Sequence, residues 1–162
     1  MFADDTAIII HGKDVDQLVN QASSVMYHVK KWFNLKKLSL SLNKSNFILF
    51  HGKGKDSANH IKEIKVGDDI IPRVSHTKYV GLILDERITW ENHISELCKS
   101  LTKYFNVFYH IRNFISKNLA RTIYHACIYP RIKYGIEIYG SANQSKMNKL
   151  QVLQNKLMKV LL

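Results

Sequence analysis

The sequence predicts an α+β chain in which antiparallel strands packed on one helix come first and an all-helical region follows. Three observations carry this. Short β-branched or alternating apolar runs crowd into residues 1–89, apolar residues recur at helical spacing from residue 90 onward, and the charge divides at nearly the same place. Residues 1–90 hold 13 Lys+Arg against 10 Asp+Glu, whereas residues 91–162 hold 11 against 3. The formal charge of +11 therefore lies mostly in the second region. Such a field attracts polyanions, because each phosphate neutralised by Lys or Arg releases condensed counterions. A merely solubilising basic surface is the plainer alternative. Acidic lipid is a weaker one, since no helix pairs a dense Lys/Arg face with exposed Trp and Leu.

Along the first region, "TAIII" (residues 6–10) is rich in β-branched residues and is closed by His11 and Gly12, the pattern of a buried strand. Asp14 is placed to cap a helix whose apolar positions Val15, Leu18, Val19, Ala22, Val25, Met26, Val29 and Phe33 follow 3, 4, 7 spacing. Gln17, Gln21, His28 and Lys31 fall on its other side. "LSLSLNKSNFILF" alternates through Leu38, Leu40 and Leu42 and predicts two short strands or one bent strand. "IKEIKVGDDIIPRV" predicts a hairpin with Gly67, Asp68 and Asp69 at its turn, and Pro72 fits an edge. "KYVGLILD" predicts one further strand, and "YGIEIYG" is the sole strand signal after it. A subdomain boundary is expected near Thr89, giving regions 1–89 and 90–162.

In the second region Ile94, Leu97, Leu101, Tyr104, Phe108 and Ile111 make one helical stripe, with Lys99, Lys103, His110 and Arg112 largely off it. Its aromatics are either core or bases' stacking partners. A second helix runs from about Lys117 to Tyr129, capped by Ser116 and closed by Pro130, and a last one from Ser145 carries Met147, Leu150, Leu153, Leu157 and Leu161.

Several classes drop out. No apolar run approaches a membrane span of roughly 18 residues, and none follows a basic segment as in a secretory signal, so an intracellular location, cytoplasmic or nuclear, is expected. Cys98 and Cys127 have no paired spacing, and the eight histidines form no metal-binding pattern; free thiols are expected.

Five segments, in order, resemble the second half of a reverse transcriptase of the non-LTR retrotransposon (LINE or jockey) type. "FADDT" looks like that family's aromatic-x-Asp-Asp hairpin. "LSLSLNKSNFILFH" is similar to its Asn-x-x-Lys-Thr strand-turn segment, keeping Lys44 while Ser41 and Ser45 replace Asn and Thr. "KYVGLILDERITWENHI" resembles its Tyr-Leu-Gly-x-x-x-Asp…Trp…His-Ile segment, and "IYHACIYPRIKYGIEIYG" its Tyr-Pro-x-x-x-Tyr-Gly segment, with Tyr139 in place of Trp. "KLQVLQNKLMKVLL" is like the start of the following helix.

The resemblance implies a partial palm followed by a thumb, and RNA-directed DNA synthesis on an RNA template from a DNA primer. It implies that Asp4 and Asp5 bind Mg²⁺, Asp4 as the stronger ligand, and that Lys44 assists the pyrophosphate unless it is a surface lysine at a turn. Tyr79, Val80 and Gly81 fall where the family holds the primer end. Lys99, Lys103, Arg112, Lys117 and Arg121 would then face nucleic acid. Two metal ions would activate the primer hydroxyl and stabilise the leaving group, and hard cations call for carboxylate oxygens. Neighbouring Asp side chains on a straight strand diverge, so the pair needs a turn to share one site. Both chain ends read as cut, so an upstream Asp strand and the fingers are expected to be missing and the 162 residues to be inactive alone. Two other readings stay open: a catalytically dead basic module binding RNA or an RNA/DNA duplex, and a degenerate remnant.

Overall fold

The computed structural model describes residues 6–41, 44–52 and 60–161. They divide into two compact units, Met1–Val80 with Asp85–Arg87, and Gly81–Leu84 with Ile88–Leu162.

The first unit is built on one long helix and a hairpin. Asp14, in extended conformation, accepts a hydrogen bond from the Asp16 N–H at 3.2 Å and starts α1 (Val15–Leu35). A cap of this kind is worth roughly 0.5–2 kcal/mol. From α1, Val19, Ala22 and Met26 pack on Ile64, Val66 and Ile71. Those three come from β1 (Glu63–Val66) and β2 (Asp69–Pro72), an antiparallel pair in register Val66↔Asp69 and Glu63↔Pro72. Alternation puts Ile64 and Val66 inside and Glu63 and Lys65 outside. The two-residue turn has Gly67 at φ 64°, the left-handed first position that a type II′ hairpin turn asks of glycine. Lys30 of α1 pairs with Asp69 at the start of β2. Phe47 adds a single parallel bridge to Arg73.

A second two-stranded sheet pairs β3 (His76–Tyr79) with β4 (Leu82–Asp85) across a turn at Val80 and Gly81. In the second unit α2 (Glu91–Ile111) turns Ile94, Leu101 and Phe108 inward against α6 (Gln144–Leu161), which offers Leu150, Leu157 and Leu161. Ser116 accepts from the Leu119 N–H at 3.3 Å and caps α3 (Lys117–Cys127). Two short helices follow, α4 (Tyr129–Lys133) and α5 (Ile136–Tyr139). Each fully buried aliphatic or aromatic side chain contributes roughly 1.5–3 kcal/mol, so this core outweighs that of the hairpin.

Five sequence expectations need correction. Residues 6–10 form no strand, and Ile9 is 90% exposed: β-branched residues fit a strand only where a neighbour completes the ladder, and none of the described residues does. The alternating leucines from Leu38 likewise form no strand among the described residues. "KYVGLILD" contains two strands and a turn, because Gly81 at φ 77° permits the reversal. "YGIEIYG" is helical: Gly135 at φ 70° starts α5, and Tyr139, fully buried, donates its hydroxyl to the Ile132 carbonyl. Pro130 does not close α3, which ends at Cys127; it occupies the first turn of α4, where a missing N–H costs nothing. Among the described residues, no helix is long and apolar enough to cross a membrane.

Candidate nucleic-acid interface

The turn of the second hairpin is made of residues that rarely bend this way. Val80 (φ 46°) and Gly81 (φ 77°) are both left-handed, as a type I′ turn requires. For a β-branched residue that conformation is strained by roughly 1–2 kcal/mol. Tyr79, half-buried, ends β3 just before it. Gly81 is open for a steric reason too: a Cβ there would lie 3.0 Å from the Tyr134 ring. One residue on, a Cβ on Gly135 would lie 2.7 Å from Leu82. The Gly-Leu and Tyr-Gly pairs, more than 50 residues apart in sequence, thus fit against each other backbone to side chain.

Beside them, His93 is buried and its Nδ1 faces the Ile83 N–H at 3.4 Å, the ring lying 4.9 Å from that of Tyr139. Burial holds the His93 imidazole below its ordinary pKa, and burial pushes the Tyr139 hydroxyl up to about 12. Trp90, 5% exposed and left-handed at φ 61°, stands at the N-cap of α2. Asp85, also buried, accepts from the Arg87 N–H at 3.1 Å. Gly81, Leu82, Ile83, His93, Tyr134, Gly135 and Tyr139 therefore pack together where β4 meets the helices.

The basic residues are exposed on the helical unit. Lys99 and Lys103 stand one turn apart on α2, and Lys117 and Arg121 one turn apart on α3. Lys99 bonds Glu96 at 2.6 Å, and that bond, aided by the charges of Lys99 and Lys103, holds the Glu96 carboxyl below its usual range. Arg112 lies with its guanidinium 4.3 Å from the centre of the Tyr109 ring. Two further cations escaped the sequence reading. Arg131 sits 5.4 Å over Tyr104 and Lys133 5.7 Å over Tyr129. Their signal was present in "YPRIKYG", where Tyr129 and Lys133 are four apart on one helix face. No Asp or Glu occurs from residue 97 to residue 136, so seven Lys or Arg share that stretch without a carboxylate within it.

The remaining predicted residues are less informative. Lys44 is exposed, its N–H donating to the Ser41 carbonyl at 3.1 Å. Asp4 and Asp5 lie outside the described residues. Among the described residues, no three His, Cys, Asp or Glu side chains are grouped to hold a metal ion. Cys98 and Cys127 are free, and burial pushes the Cys98 thiol above its ordinary range.

Neither a family profile nor a solved structure matches the chain. Curated relatives do. The "Probable RNA-directed DNA polymerase from transposon X-element" of Drosophila melanogaster is 26% identical over an alignment covering 99% of the chain. The RNA-directed DNA polymerases from mobile element jockey of Drosophila funebris and Drosophila melanogaster are 25% and 24% identical, each over 98% of the chain. The chain spans only 17–18% of the length of these relatives. From one end to the other, then, this chain is similar to one segment of the RNA-directed DNA polymerases of jockey-type non-LTR retrotransposons.

Proposed function

We propose that these 162 residues are a late-palm and thumb segment of a retrotransposon reverse transcriptase, with residues 1–89 as the partial palm and 90–162 as the thumb. The observation that carries this is the end-to-end similarity to RNA-directed DNA polymerases, which no single motif match could supply. In this reading Asp4 and Asp5 are the metal ligands; paired carboxylates are the donor chemistry that suits Mg²⁺, which when bound supplies Lewis-acid activation. Tyr79, Val80 and Gly81 hold the primer end, and the strained Val80 fits such a role because strain persists where surrounding structure and function both demand it. Lys99, Lys103, Arg112, Lys117 and Arg121 contact the phosphates of an RNA template and DNA primer, inside the cell. Lys44 is the third residue toward the leaving group. The reaction requires a further carboxylate beyond this pair, so the segment by itself does not extend a primer.

The test is primer extension by the 162-residue chain with Mg²⁺ on an RNA template. No product is expected; synthesis that disappears in Asp4→Asn would show the inactivity to be wrong and the metal assignment right. A second reading, a basic module that only holds nucleic acid, is favoured by the carboxylate-free stretch 97–136. Binding to an RNA/DNA primer-template should weaken linearly in log affinity against log salt; affinity indifferent to salt would remove both the thumb contact and the module.

A further inference from the structure

The turn between α2 and α3 carries a feature the duplex-holding reading does not use. Phe114 is 88% exposed, among the most exposed large apolar side chains of the described residues. It is nonetheless held in place. Its N–H donates to the Ile111 carbonyl at 2.9 Å, Ile115 beside it packs on the core, and Ser116 then caps α3. A side chain this exposed gains almost nothing from folding, and the partly buried Ile111 and Ile115 on either side anchor the turn that holds it out in water.

Its surroundings say what suits it. Arg112, two residues before, lies stacked on Tyr109, so its planar cation is already oriented; Lys117, three residues after, is exposed. The carboxylate-free stretch runs through the whole tip. An exposed aromatic side chain flanked along the chain by two exposed cations suits an unpaired base: the ring stacks on the base and the cations meet the neighbouring phosphates. Within a duplex the internal base pairs hide both faces in the stack, so only an end pair could reach the ring.

We propose that this tip is a stacking site for an unpaired nucleobase of single-stranded nucleic acid, with Phe114 under the base and Arg112 and Lys117 on the adjacent phosphates. This rests on the nucleic-acid-binding reading above and adds to it a strand that is not base-paired.

The test measures affinity of the full chain for a short single strand of RNA, the same strand as DNA, and a blunt RNA/DNA duplex, at several salt concentrations. Phe114→Ala should weaken single-strand binding roughly 5- to 150-fold, the range of one lost base stack, and leave the blunt duplex within about twofold. The salt slope should not change with Phe114→Ala but should fall by about one with Arg112→Ala. Phe114→Trp should keep the affinity, and Phe114→Leu should lose it as Ala does. A loss on RNA alone, on DNA alone or on both supports the stack and identifies the polymer it serves. Equal weakening of duplex and single strand, or wild-type affinity in Phe114→Leu, would overturn it. So would unchanged single-strand binding in Phe114→Ala with loss of binding to anionic phosphatidylserine vesicles, which would make the tip a membrane contact. If the wild-type chain binds none of the three nucleic acids, the broader binding reading fails along with it. Because Phe114 is so exposed, far-UV circular dichroism of all three variants should match the wild type.

Discussion

Helices α1 and α2 are both 21 residues long and both amphipathic, yet α1 has no fully buried side chain while α2 buries His93, Ile94, Leu101 and Phe108. The difference lies in what each helix meets. A two-stranded hairpin offers α1 the three side chains Ile64, Val66 and Ile71, whereas α2 lies along α6 and shares a core of twelve buried residues. The same 3.6-residue periodicity therefore yields unequal stabilisation, because burial is set by the partner and the pattern only marks which face would be buried.

The sharpest break in the comparison comes from deleting a core side chain on each side. Phe108→Ala, at 1% exposure, should cost about 3–5 kcal/mol in urea unfolding. Met26→Ala, only half-buried on the hairpin, should cost clearly less; equal losses would mean that the first unit is better packed than its burial indicates. Next in size is Arg73→Leu. Arg73 donates to Glu86 from Nε at 2.9 Å and reaches it from a second nitrogen at 2.8 Å, both side chains being mostly buried. Its loss should lower protection of the β1–β2 amides against hydrogen exchange by about 1.5–3 kcal/mol while leaving α2 amides unchanged. Uniform loss across both helices would show that the units do not open separately.

Gly135→Ala should destabilise the second unit by about 1–2 kcal/mol from its left-handed backbone, the 2.7 Å approach of the new Cβ to Leu82 adding to this. Val80→Asn should do the reverse, gaining about 1 kcal/mol in thermal stability, since Asn-Gly is the pair a type I′ turn prefers. The smallest effect needs no substitution. Burial lowers the His93 pKa below the ordinary 6.5, so its contribution is complete above that value and is lost as pH falls through it and below. Urea midpoints should drop toward acid pH, and His93→Gln should flatten that drop.

Sequence periodicity revealed α1, α2, α3 and α6 because their apolar spacing continues over several turns and Asp14 and Ser116 are unmistakable caps. It failed on short runs. "IEIY" alternates like a strand but is one helical turn between Gly135 and Gly140, a length at which the two periods cannot be told apart. "TAIII" has strand composition without a described neighbour to pair with. Of the candidate site, the basic residues were legible from charge alone, and the packing of Tyr134 on Gly81 was not, because a contact across more than 50 residues leaves no local pattern. Arg131 and Lys133 left no stripe for a related reason: they lie on a five-residue, proline-led helix too short to show a period.

The chain has two tryptophans, and they fall one in each unit: Trp32, 54% exposed on α1, and Trp90, 5% exposed at the start of α2. Emission from Trp32 should already be red-shifted and open to acrylamide in the native protein, and Trp90 should emit blue and stay shielded. An intrinsic-fluorescence melt will therefore follow the second unit almost exclusively and pass silently over any earlier loosening of the first, unless Trp90→Phe is used to leave Trp32 as the lone reporter.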